Sequence, residues 1–149
     1  MIQRIQSFYL LVAAVLLGVA SVNEFFVLNQ GLVIIDGFNI YKDADVVFST
    51  LPLNIILWIG AALSVVTIFL YKNRILQMRL TTYTIIILLG FYLLLIYYRY
   101  FGITKYVMVT DSRMTLYSLF PVIAAIFVYM ANRAIKKDEE KVRSMDRFR

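Results

Sequence analysis

The sequence contains no cysteine and no histidine. Without cysteine there is no disulfide framework, no thiolate ligand and no thiol nucleophile. Without histidine the commonest metal ligand and the usual near-neutral proton shuttle are missing. Proline occurs only at Pro52 and Pro121, and charged residues make up only 16% of the chain. A water-covered domain carries roughly 25%. No glycine-rich phosphate loop, nucleophile elbow or zinc-binding helix is present. Asp43-Ala44-Asp45 looks like part of a calcium loop but lacks the glycine and the distal glutamate that such a loop needs. These gaps remove most routes to catalysis and to bound cofactors, so neither an enzyme activity nor a cofactor or metal is expected.

Apolar residues fill the space that the missing types leave. They form 62% of the 149 residues, with a mean hydropathy of +0.79. The excess must face something other than water, and lipid is the simplest surrounding. Four apolar segments stand out, at about 7–26, 52–71, 81–101 and 116–135. Each approaches the roughly 20 residues that a helix needs to cross about 30 Å of hydrocarbon. Runs such as Ile85-Ile86-Ile87-Leu88-Leu89 do not alternate in polarity, which argues for helices and against a β-barrel. Arg4 ahead of an apolar run has the look of a signal peptide, but the run is long and more spans follow. An uncleaved first helix is therefore expected. The expected fold is an all-α membrane protein, a bundle of four transmembrane helices.

The cations orient it. Arg4, then Lys72, Arg74 and Arg79, then Arg133, Lys136, Lys137, Lys141, Arg143, Arg147 and Arg149 fall on one side. Lys42, Arg99, Lys105 and Arg113 fall on the other. Segments rich in Lys and Arg stay cytoplasmic, so both termini and the 72–80 connection are expected inside, and 27–51 and 102–115 outside. Pro52 suits the first turn of its helix. Pro121 is expected to kink a helix that begins near Leu116. Ala14 with Gly18, and Gly60 with Ser64, have the four-residue spacing of small residues at helix contacts.

Outside the spans, Asp36-Gly37 lies between two β-forming runs, Leu32–Ile35 and Phe38–Tyr41. The pair marks a two-residue hairpin turn with positive φ at Gly37. In that register Ile35 faces Phe38 and Val33 faces Ile40, so these four side chains share one apolar face. A lone hairpin is marginal in water, so a small outer sheet is expected, with Tyr106–Val109 as a third strand. Polar residues within the spans (Asn54, Ser64, Thr67, Tyr83, Thr84, Asn132) are neutral and scattered. Glu24 and Arg99 are ionisable and lie near the outer interface, where they form a candidate pair. Arg99 among Tyr97, Tyr98 and Tyr100 reads as a snorkelling cation in an aromatic belt.

The richest polar segment is the tail, 136–149, which extends the fourth helix as an amphipathic cytoplasmic helix. Glu139 and Arg143 are four apart in the favourable order. Ile135, Val142 and Met145 fall near one stripe. Lys136, Lys137, Lys141, Val142, Met145 and Arg147 are its candidate interaction residues. The tail reads as a solvated helix end, a helix on anionic lipid, or a docking surface for a membrane-protein partner or second copy. Nucleic acid is not expected, because Asp138, Glu139, Glu140 and Asp146 dilute the positive field.

Three stretches carry a resemblance: Met1–Ser7, Asn73–Leu80 and Ala134–Arg149. Together they resemble a family of small four-span proteins from Bacteroidota known only as a domain of unknown function. The resemblance covers essentially the whole chain and implies a bacterial inner membrane, but no activity. In layout the chain is also similar to claudin-like proteins, whose paired loop cysteines it lacks; this is architectural analogy only. The resulting expectation is a non-catalytic membrane accessory or interaction subunit. The alternative is a small transporter or channel component, which would need polar groups near the midplane.

Overall fold

The computed structural model describes residues 3–29, 32–42, 45–71, 73–102 and 111–146. Within them the chain forms α1 (Gln3–Ser21), β1 (Phe26–Leu28), β2 (Val33–Ile35), β3 (Asn39–Lys42), β4 (Asp45–Ser49), α2 (Leu51–Phe69), α3 (Arg74–Tyr97), β5 (Ser112–Met114) and α4 (Phe120–Asp146). A π-helical turn, Tyr98–Gly102, ends α3, and a 3₁₀ turn, Leu116–Leu119, precedes α4. Three helical segments, Leu51–Phe69, Arg74–Phe101 and Leu116–Val142, are long and apolar enough to cross a membrane; the apolar part of the first helix, Ile5–Ser21, is shorter.

The helices pack in a closed cycle, α1 against α2 and α4, and α3 against α2 and α4. Each buries one narrow seam. On α1 this is Gln6, Leu10, Ala13, Leu17 and Ala20, and on α2 Leu53, Leu57, Gly60, Ser64 and Thr67. On α3 it is Gln77, Thr81, Thr84, Leu88, Phe91 and Leu95, and on α4 Ala124, Val128, Ala131 and Ile135. Steps of three and four alternate, the spacing that keeps one face of a slightly supercoiled helix on its neighbours. The other faces are exposed yet apolar; Leu93 on α3 is 72% exposed. Small seam residues let the backbones approach. A Cβ on Gly60 would lie 3.3 Å from Leu17 Cδ1, and Ser64 Oγ donates to the Gly60 carbonyl at 2.9 Å. The other expected small pair is not at a contact. Open space faces Gly18 and Ala14 is half-buried, while Ala13 and Ala20 take that place.

Several helix ends differ from expectation. α1 stops at Ser21, where Ser21 Oγ and Asn23 Nδ2 donate to the carbonyls of Gly18 and Val19, both at 2.7 Å. The apolar run continues to Leu28, but as strand. α3 begins at Arg74, well before Thr81, because Arg, Leu, Gln and Met are good helix formers. Pro121 does not kink a continuous helix. It occupies the first turn of α4, behind the 3₁₀ turn. There the Tyr92 hydroxyl donates to the Ser118 carbonyl (2.7 Å) and accepts from the Val122 N–H (3.0 Å). The phenol thus occupies the place of one helical hydrogen bond, bridging the two turns.

The sheet is antiparallel, with strand order β4-β3-β2-β1-β5. With five strands it is larger than the expected three-stranded sheet, and the hairpin register differs. Ile35 pairs with Ile40 and Val33 with Lys42. The Asp36 carboxylate accepts from the N–H groups of Phe38 (2.7 Å) and Asn39 (2.6 Å), and the Asp36 N–H donates to the Asn39 carbonyl (3.1 Å). The turn therefore centres on Gly37-Phe38, one residue later than expected. A two-residue change in pairing keeps Val33, Ile35 and Ile40 on the buried face with Leu28, and moves Phe38 into the exposed turn. The strand from the second connection is Ser112–Met114, paired with β1; Tyr106–Val109 lies outside the described residues.

Gly37 is required for closeness and not for φ, which is outside the left-handed region. A Cβ there would meet the Ser21 carbonyl oxygen at 3.0 Å and Asn54 Nδ2 and Cγ at 3.1 and 3.2 Å. Asn54 Nδ2 donates to the Ser21 carbonyl (3.2 Å), and Thr50 Oγ1 donates to the Asp36 carbonyl (2.8 Å). The end of α1, the β2–β3 turn and the first turn of α2 meet at this point. Just before β1, Phe25 packs edge-on against Phe91 in the helix core, with centroids 5.4 Å apart.

Candidate functional site

The end remote from the sheet carries most of the polar chemistry. No Gly or Pro follows Pro121 in α4, and its last third is rich in Lys, Glu and Arg, all good helix formers. The helix therefore runs 27 residues, about 40 Å at 1.5 Å per residue. Arg74 and Asp138 tie the extension to the start of α3. Arg74 Nη2 lies 3.7 Å from Asp138 Oδ2, and Arg74 Nη1 donates to the Asp138 carbonyl at 3.2 Å. Both residues are half-buried, which preserves more of the attraction than a fully exposed pair would keep. Further up, Asn132 Nδ2 donates to Thr82 Oγ1 (3.1 Å), and Gln77 Nε2 to the Thr67 carbonyl (2.9 Å). On α1, Gln6 Nε2 is buried with no hydrogen-bond partner among the described residues.

Two open grooves flank the extension. One, of about 430 Å³, lies between α1 and α4, with Ile5, Tyr9, Tyr129, Met130 and Ala134 as its apolar part and Arg133, Lys137, Asp138 and Lys141 as its polar part. The other, of about 440 Å³, lies between the start of α3 and α4 and is lined by Asn73, Arg74, Ile75, Leu76, Arg79, Glu139 and Val142. Among the described residues, no group of three or more carboxylates could hold a metal.

The residues singled out from sequence separate into distinct environments. Lys137 and Lys141 line the first groove together with Arg133, and Val142 lines the second. Lys136 is exposed and lines neither. The stripe expected to lie open is partly covered by the chain itself: Ile135 is 1% exposed and Val142 is half-buried. The Met145 side chain and Arg147 lie outside the described residues, as do Lys72, Lys105 and Asp43. Asp36 and Gly37 form the turn described above. No ion pair joins Glu24 and Arg99. Glu24 is exposed in the turn after α1, and the Arg99 guanidinium lies 5.6 Å from the centroid of the Tyr100 ring. The ring satisfies the cation locally, which leaves the carboxylate to solvent. Arg133 and Tyr9 were not anticipated at a site. The spacing of Arg133, Lys137 and Lys141, each four apart, was the available signal, since residues at that interval share a helix face.

No curated protein and no solved structure matches the chain significantly. A family match does exist, and it spans residues 2–148. It takes in the Asn73–Leu80 connection and all but the terminal residue of each end stretch on which the resemblance rested. The chain belongs to the family described as Domain of unknown function (DUF4293).

Proposed function

We propose that the chain is a multi-pass membrane protein with four spans, and that it acts as a non-catalytic accessory or interaction subunit. The observation that carries the reading is the distribution of charge along the helices. No Asp, Glu, Lys or Arg occurs in Ile5–Asn23, Leu51–Tyr71, Leu80–Tyr98 or Met114–Asn132, and the outward faces of these stretches are apolar. Exposed apolar surface of this extent is rare on a soluble monomer. α1 and α2 are both 19 residues long, about 28 Å, close to the thickness of the hydrocarbon core. The excess of cations at the tail end supports a cytoplasmic location for that end, in a bacterial inner membrane by the earlier resemblance, with the sheet outside.

The hydroxyls on the buried seams favour this reading over a transporter or channel component. Ser64, Thr67, Thr81 and Thr84 each donate to a carbonyl of their own helix. They are satisfied locally, so their donors are already occupied. Contact with other molecules is then left to the two ends. Retention of the chain in membranes after alkaline extraction tests the embedding; release into the soluble fraction would overturn it. Single cysteines replacing Lys42 and Lys137 should label from opposite sides of intact cells, and labelling of both from one side would overturn the topology. Deleting residues 141–149 should change the set of co-purifying proteins while leaving insertion intact. An unchanged set would remove the tail from the interaction reading.

A further inference from the structure

We propose that the groove between α1 and α4 is a binding site for an anionic phospholipid, with the phosphodiester headgroup on Arg133, Lys137 and Lys141 and an acyl chain along Ile5, Tyr9 and Met130. The proposal rests on the membrane-embedded reading and adds a ligand to it.

Charge provides the first argument. The three cations lie at successive four-residue steps on α4, about 6 Å apart along the helix. All three are exposed, and none takes part in an ion pair among the described residues. The one acid in the groove, Asp138, is bound to Arg74 and does not neutralise them. A guanidinium presents paired donors that match two phosphate oxygens, and the two ammonium groups beyond it add charge toward the tail. The second groove differs in this respect. Its Arg74 is taken by Asp138, and Glu139 shares its lining with Arg79.

Polarity along the groove provides the second argument. Below Arg133 the lining turns apolar within one helical turn, at Met130, while Tyr9 and Ile5 form the opposite wall. Ile5 is 51% exposed and Met130 41%, so both face outward into the trough. A free phosphate would need the cations and no trough. A phospholipid needs both, in this order, at the level where headgroup gives way to hydrocarbon. Basic pockets between spans on the cytoplasmic side are suited to such headgroups.

The full chain, reconstituted in phosphatidylcholine nanodiscs, would be titrated with phosphatidylglycerol, and retained lipid counted by native mass spectrometry. Phosphatidylglycerol should be retained in preference to phosphatidylcholine. Each surface cation is worth about a fivefold preference, so the triple variant Arg133→Gln, Lys137→Gln, Lys141→Gln should lose roughly a hundredfold. The variant Arg79→Gln, Lys136→Gln removes cations outside the groove and should retain the preference. Met130→Ala should weaken retention of phosphatidylglycerol, and inorganic phosphate at constant ionic strength should not displace it. Equal retention of the two lipids, or unchanged retention by the triple variant, would overturn the inference while alkaline extraction still upheld the embedding. Displacement by inorganic phosphate would overturn the lipid as ligand.

Discussion

Replacing Gly37 with alanine adds a single methyl group at the joint between α1, the sheet and α2. The new carbon would lie 3.0 Å from the Ser21 carbonyl oxygen and within 3.2 Å of two atoms of the Asn54 amide. The carbonyl belongs to the last turn of α1 and cannot step aside alone. Overpacking of this kind costs about 1–3 kcal/mol. If the Asn54 amide moves instead, its hydrogen bond to Ser21 is lost, at about 1 kcal/mol. Gly37→Ala should therefore destabilise the chain by about 2 kcal/mol, or a fall of about 4–8 °C in Tm at this chain length. Thermal unfolding of the full chain in mild detergent, followed by circular dichroism, gives the measurement. Gly37→Asn identifies the cause. Asparagine tolerates the left-handed conformation, so a turn that needed positive φ would accept it better than alanine. A position that needs space should reject it more strongly. Asn54→Ala should partly relieve Gly37→Ala, making the pair less costly than the sum of the two singles. An unchanged Tm for Gly37→Ala, or a higher Tm for Gly37→Asn than for Gly37→Ala, would refute the reasoning.

Further outcomes follow from other contacts. Tyr92→Phe removes the hydroxyl between Ser118 and Val122, so it should cost about 1–2 kcal/mol and speed amide hydrogen exchange at Val122; unchanged exchange would mean that the helix closes its own bond there. Asp138→Asn should cost less than 1 kcal/mol in overall stability yet raise protease cleavage and hydrogen exchange beyond Glu139, because the Arg74 link tethers that segment; equal cleavage would show that helix continuity alone holds the tail. Gln6→Met replaces a buried amide with an unpartnered N–H₂ by an apolar chain of similar length, and should raise Tm by a few degrees; a lower Tm would mean that the amide is satisfied in solution.

The helices were legible because unbroken apolar runs of this length have few alternatives, and all four segments are helical over most of their extent. Their ends were not legible. Phe26-Val27-Leu28 is as apolar as the helix before it, so hydropathy could not show the change from helix to strand. Arg74–Leu80 looked like a connection because it is polar, yet its residues are good helix formers. In the hairpin, alternation identified Val33, Ile35 and Ile40 as one face. It could not reveal that the Asp36 carboxylate would bind two backbone N–H groups and shift the turn to Gly37-Phe38. Ser112-Arg113-Met114 carries no strand signal and becomes a strand because β1 offers it an edge. At the tail end, the basic face was readable from spacing alone, but the opposite wall of its groove comes from α1, at the other end of the chain. The covered state of Ile135 depends on the same kind of distant neighbour.

That dependence on distant neighbours has a consequence for how the molecule is assembled. At one end of the cycle β1 pairs with β5, and Asn29 and Asp111, 82 residues apart, exchange hydrogen bonds beside that ladder. Along its length the seam of α1 rests on α4 as well as on α2. In a chain made from its N-terminus, α1 emerges long before either partner from the second half. Joining segments so far apart adds little thermodynamic cost, since loop entropy grows only with the logarithm of length, but such contacts form late. The α1–α2 hairpin must therefore wait with Gln6, Leu10 and Ala13 only partly covered until α4 has been synthesised. Assembly in two independent hairpins would leave each with half an interior, and α1 acquires its complete surroundings only in the finished chain.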